Sequence, residues 1–115
     1  GYNGWRYTLT GGRPPPLLIL SFANVRTEDV FHGRSTRVAR QDCPSTVWNV
    51  ARRKLDQLNA AVSLEGLRIP LGDRLEGLRG DRRGQHSIRI NDQYRVCFRW
   101  TAAGPADVEI VDYHE

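Results

Sequence analysis

The sequence predicts a small α+β domain in which two helices and an N-terminal strand pack on an antiparallel β-sheet meander. Three observations carry that prediction. An apolar stripe of helical spacing runs from Val47 to Val62, period-two alternation fills the last third, and 115 residues with 39% hydrophobic content suit one modest core.

Residues 1–16 hold four glycines, two arginines and Pro14-Pro15-Pro16 without periodicity. They read as an N-terminal extension of a domain covering residues 17–115. The chain has no Met, so Gly1 is not expected to be where translation starts. Tyr2, Trp5 and Tyr7 leave open that the extension docks somewhere.

The apolar run Leu17 to Phe22 is expected as a short strand. Thr27-Glu28-Asp29 then offers a hydroxyl cap and early acids for a short helix that Gly33 stops. A charged link from Arg34 to Asp42 leads to Cys43-Pro44-Ser45, residues suited to opening a second helix. There Val47, Ala51, Leu55, Leu58 and Val62 recur at steps of four, four, three and four, while Arg52, Arg53, Asp56 and Gln57 face elsewhere. Between Leu64 and Gly84 six glycine or proline breaks erase any period, so the segment reads as loop with at most a turn of helix.

Alternation resumes with His86, Ile88 and Ile90 on one face, then Tyr94, Val96, Phe98 and Trp100. A three-residue loop, Asn91-Asp92-Gln93, sets Ile90 against Tyr94 and Ile88 against Val96. On the other face Arg89 stands opposite Arg95, and like charges across a ladder ask for an acid neighbour or an anionic ligand. After a turn at Ala102 to Asp107, a register pairing Trp100 with Val108 sets Arg99 opposite Glu109 and Arg95 opposite Tyr113. The odd face then reads Arg89, Arg95, Tyr113, with Asp112 and His114 at the strand's end.

The formal charge is +4 and 16 of the 17 basic residues are arginine, whose planar fork grips phosphate. A polyanionic partner fits, although an arginine bias also follows from genome composition, so position must decide. Cys43 and Cys97 are isolated, with no spacing for zinc or a disulfide framework, and are read as inert thiols of a cytoplasmic protein. The run Leu17-Leu18-Ile19-Leu20 is too short to span a bilayer or form a signal-peptide core.

The stretch Leu78 to Phe98, with Asp107 to His114, resembles the HigB-type toxins of the RelE/ParE superfamily and is most similar to the GraT-like branch. The resemblance covers about residues 18–114 and is specific in the last third. Members begin close to a segment like Ile19-Leu20-Ser21-Phe22. The resemblance implies a RelE-like fold and the toxin of a type II toxin–antitoxin pair: a metal-independent, cofactor-free endoribonuclease that cuts mRNA in the ribosome's decoding site. It also implies a helix-turn-helix, HigA-like antitoxin, operator DNA bound only through that complex, and no membrane partner. By position, Asp112, Tyr113 and His114 fall on the family's functional tail, and Arg79 and Arg95 on its phosphate-handling positions. Glu76 departs from relatives that carry histidine there.

Attack of a 2′-hydroxyl on the adjacent phosphate needs a proton acceptor, a proton donor for the leaving 5′-oxygen, and positive charge for the phosphorane. His114, with an ordinary pKa near ~6.5, suits proton transfer at neutral pH. Asp112 could orient it, and Tyr113 could donate a proton or stack on a base. Arg95 and Arg79 are the expected phosphate and transition-state ligands, with Arg83 and Arg89 secondary. Arg82 and Arg83 also read as solvated charge, His86 as structural on the apolar face, and His32 as surface. Two other functions compete: a ParE-like inhibitor of a protein such as gyrase, and a catalytically weak partner in an operator-binding complex. The Asp-Tyr-His tail favours the nuclease, because a pure binder needs no titrating cluster.

Overall fold

A computed structural model describes residues 14–42 and 44–113. The expectations placed on Tyr2, Trp5, Tyr7, Cys43 and His114 lie outside these residues. Among the described residues three helices, α1 (Val25–Phe31), α2 (Arg37–Asp42) and α3 (Ser45–Ala60), precede four strands, β1 (Glu76–Gly77), β2 (His86–Arg89), β3 (Tyr94–Thr101) and β4 (Gly104–Asp112). The strands form one antiparallel sheet in chain order, so the α+β meander is as the sequence predicts.

The N-terminal strand is the first correction. Residues 17–23 make a single parallel bridge, Phe22 with Val108. Their amides are divided between two elements: Leu17 N donates to Ala61 O at 2.9 Å, and Leu20 N to Pro105 O at 2.8 Å. With no single neighbour taking every bond, no ladder forms. The close passage explains Gly104, where a Cβ would lie 2.7 Å from the Leu18 carbonyl oxygen.

Helix α1 begins before Thr27. Asn24 is its cap, accepting from Thr27 N at 2.9 Å, while buried Thr27 turns inward and its hydroxyl accepts from Ile110 N at 3.0 Å. Gly33 ends the helix at φ 73°. The expected charged link contains α2 instead. Six residues cannot sustain a helix alone, but Thr36 caps it through Ala39 N (3.1 Å), bonds buried Asp29 (2.8 Å), and lets Ala39 dock in the core. In α3 the stripe is as expected for Ala51, Leu55 and Leu58, all fully buried. Val62 falls off it, because the backbone turns extended at Ala61 and leaves Val62 42% exposed.

The β2–β3 hairpin has the predicted register, Ile88 opposite Val96 and Arg89 opposite Arg95. Asn91 Oδ1 closes its loop by accepting from Gln93 N and Tyr94 N, each at 2.8 Å. The β3–β4 register differs from expectation. The turn is only Ala102-Ala103, and Phe98 stands against both Asp107 and Val108, a bulge that Asp107 absorbs at φ 52°. Arg99 therefore faces Ala106, Cys97 faces Glu109, and Arg95 faces Val111. The even face still packs inward: Ile88, Val96, Phe98 and Val108 are fully buried against α3.

The segment between α3 and β2 is three 3-10 turns and the two residues of β1. One buried ion pair pins it. Lys54, the only lysine in the chain, reaches from α3 to Asp73, whose side chain is fully buried. Gln57, with its amide nitrogen toward Asp73, donates to both carboxylate oxygens at 3.2 and 2.7 Å. Removing one partner leaves a buried charge uncompensated. Lys54→Ala is expected to lower stability by about 3–5 kcal/mol in urea unfolding. Arg68→Ala, which breaks only the exposed pair with Glu65, is expected to cost roughly 0–1 kcal/mol.

Candidate active site

The odd-numbered face of the sheet carries Ser87 and Arg89 on β2, Arg95 and Cys97 on β3, and Glu109 and Val111 on β4. At its open end lies a cleft of about 510 Å³ lined by Arg74, Glu76, Arg89, Asn91, Asp92, Arg95 and Tyr113. Three residues singled out from sequence, Arg89, Arg95 and Tyr113, converge there.

Arg95 is the most constrained of them. Its Nε donates to Ser87 Oγ at 2.6 Å, and its Nη2 donates to the carbonyls of Arg74 at 2.7 Å and Ser87 at 3.3 Å. Glu76, at the start of β1, places Oε1 3.6 Å from Arg95 Nε. The side chain of Arg95 is only 12% exposed. Arg89 pairs with Asp92 in the hairpin loop. Of the two compensations that the opposed arginines ask for, an acid neighbour is present for each. Two like charges opposite each other are costly, and the fold answers with Glu76 and Asp92.

Arg74 reaches the cleft because it is left-handed, φ 45° and ψ 56°, directly after buried Asp73. That conformation costs a non-glycine residue roughly 1 kcal/mol, and it turns the Arg74 carbonyl onto Arg95. Tyr113, 38% exposed, follows the end of β4, and its N–H donates to Gln93 O. This bond holds the tail beside the hairpin loop.

The other expected site residues lie elsewhere. Asp112 pairs opposite Tyr94, on the face away from Arg95, and its carboxylate accepts from Gln93 Nε2 at 3.1 Å. Arg79 and Arg83 are exposed at the two ends of the 3-10 turn Gly80–Arg82, outside the cleft lining. Within that turn Arg82 bonds Glu109 at 3.2 Å and Gln85 at 3.1 Å. His86 stacks on Phe98, ring centroids 6.2 Å apart, as its place on the apolar face requires. His32 is exposed beside Glu28. Sequence reasoning missed Arg74, Ser87 and Asp92 as parts of the site. Only Ser87 left a signal: a small hydroxyl two residues before Arg89 on the same strand face.

A profile described as the RelE-like toxin of the type II toxin–antitoxin system HigB matches residues 21–114. Toxin HigB-1 of Vibrio cholerae serotype O1 is 49% identical over 57 residues, which is 50% of this chain and 60% of that protein. An uncharacterized protein of Haemophilus influenzae is 37% identical over 57 residues, 50% of this chain and 56% of that protein. Both alignments span less than two thirds of the relative's own length.

Cys97 lies under the site on β3, fully buried and unpaired. Burial pushes its thiol up from 9.0 to about 11, against the opposing pull of the Arg82 guanidinium. A raised thiol pKa means that the folded state keeps its proton where the unfolded chain has lost it. The contribution is therefore intact below pH 9 and lost as pH rises from 9 toward 11. Unfolding free energy should fall by roughly 2 kcal/mol over that window. Cys97→Ala should remove that part of the slope in paired urea titrations, and equal slopes would contradict the assignment.

Proposed function

This chain belongs to the HigB-like toxin family of type II toxin–antitoxin systems, and from that premise we propose that it is an endoribonuclease that cuts mRNA on the ribosome. The carrying observation is the convergence of Arg89, Arg95, Glu76 and Tyr113 on one open cleft. We assign the nuclease to residues 17–115, with residues 1–16 as an extension.

In the proposed step the 2′-oxygen of a nucleotide attacks its own 3′-phosphate, forming a P–O2′ bond as the P–O5′ bond breaks. The products are a 2′,3′-cyclic phosphate and a free 5′-hydroxyl. Glu76, an exposed carboxylate beside Arg95, takes the 2′ proton. The leaving 5′-oxygen receives a proton from the tail, from His114 on the strength of the family resemblance, with Tyr113 holding the adjoining base or sharing that proton. Charge on the phosphorane is met by the guanidiniums of Arg95 and Arg89. Arg95 is already oriented by Ser87 and the Arg74 carbonyl, so little reorganisation accompanies the reaction. Neither metal nor cofactor enters this step.

Asp112, bonded to Gln93, steadies the tail from its other side. Arg79 and Arg83 make outlying phosphate contacts that add salt-dependent affinity. A helix-turn-helix, HigA-like antitoxin silences the protein in the cytoplasm, and operator DNA is met only in that complex. Among the described residues no helix is long and apolar enough to cross a membrane.

Primer extension on transcripts after induction tests this reading. Cuts should occur within translated messages at codon-linked positions and vanish from copies lacking a start codon. Arg95→Ala should slow cleavage on purified ribosomes by about 10²-fold or more. Tyr113→Ala and His114→Ala should each relieve growth arrest with circular dichroism unchanged. Growth arrest without new transcript ends, accompanied by gyrase inhibition, would contradict the nuclease reading.

A further inference from the structure

Arg89 and Arg95 face each other on the same ladder, yet they are held very differently. Arg95 is fixed by the hydroxyl and carbonyl of Ser87 and the carbonyl of Arg74, neutral acceptors that set its direction, with the Glu76 carboxylate 3.6 Å from its Nε. Arg89 is held by Asp92, whose side chain is 99% exposed. Asp92 is not needed to close the hairpin loop, because Asn91 accepts both loop amides. Its carboxylate thus lies on a guanidinium of the cleft that an incoming anion could take over.

We propose that Asp92 is an internal competitor for a phosphate site at Arg89. In the free protein its carboxylate occupies that guanidinium, and it swings out when a phosphodiester of single-stranded RNA enters the cleft. The inference rests on the nuclease reading and adds to it a gate on substrate binding. Exposed ion pairs contribute little to stability, so the exchange costs the fold almost nothing. A guanidinium meets two phosphate oxygens as well as two carboxylate oxygens, so one anion can replace the other without rearranging Arg89. Among the described residues the ionic side chains of the cleft are Arg74, Arg89 and Arg95 against Glu76 and Asp92, a net charge of +1 that becomes +2 once Asp92 leaves. A phosphodiester that enters the cleft reaches fixed Arg95 as well as Arg89 once Asp92 has left.

The probe is an RNA hexamer with 2′-methoxy groups, which cannot be cleaved, so binding is read by fluorescence anisotropy apart from turnover. Asp92→Asn keeps a residue suited to the loop and should bind the hexamer about fivefold more tightly at low salt, the scale of one unit charge removed about 4 Å away in water. The gain should shrink as salt rises. In an Arg89→Ala background the same substitution should give a clearly smaller gain, the part left by simple charge repulsion. Equal affinity of wild type and Asp92→Asn overturns the competitor role, as does a gain that is undiminished without Arg89, or failure of Asp92→Asn to bind the hexamer at all. Transcript mapping judges the nuclease separately: wild-type cuts alongside an inert Asp92 would remove the gate and leave the enzyme.

Discussion

A carboxylate sealed from water at Asp73 decides where one wall of the cleft stands. Such a group persists only if paired, and its partners, Lys54 and Gln57, both come from α3. The loop after α3 is thereby clamped to the most regular element of the protein, although the loop itself has no periodic apolar pattern. The next residue, Arg74, enters a left-handed conformation and aims its carbonyl at Arg95, and two residues later Glu76 opens β1 against Ser87. Helix packing is transmitted to the site through one ion pair and four residues of backbone.

The cleft also shows how a sheet tolerates two guanidiniums at directly opposed positions. Part of the compensation is ionic, from Glu76 and Asp92. Part is dipolar, from a serine and two carbonyls around Arg95. The dipolar part matters more for chemistry, because it orients the cation and leaves its charge available to a phosphate. Ser87 and Cys97, paired across β2 and β3 on the same face as the arginines, are fully buried.

Much of the sheet was legible because period two and loop length leave few choices. Only a loop of odd length keeps Ile88 and Val96 on one face, and placing it at Asn91-Asp92-Gln93 pairs Arg89 with Arg95. The next register was not legible, since a single left-handed Asp107 inserts an extra residue and shortens the turn. The slip moves Arg95 from Tyr113 to Val111, but an offset of two residues preserves the face, so Tyr113 still reaches the cleft. Helix α2 escaped notice because its stability lies in docking Ala39 and capping by Thr36 rather than in its own residues. Arg74 and Glu76 belong to 3-10 and two-residue elements, which carry no period that sequence could reveal. The family resemblance places Asp112 with Tyr113 and His114 on one functional tail, whereas its pairing with Tyr94 puts it on the face away from Arg95.

The central claim is that the arginine pair and the tail tyrosine form one surface for a single RNA strand. Nuclear magnetic resonance of the arginine Nε–Hε groups during titration with a non-cleavable RNA strand tests it most directly. The account predicts that Arg89 and Arg95 shift together with the Tyr113 amide, well before Arg79 and Arg83. Shifts confined to Arg79, Arg82 and Arg83, with Arg95 unmoved at saturation, would contradict it.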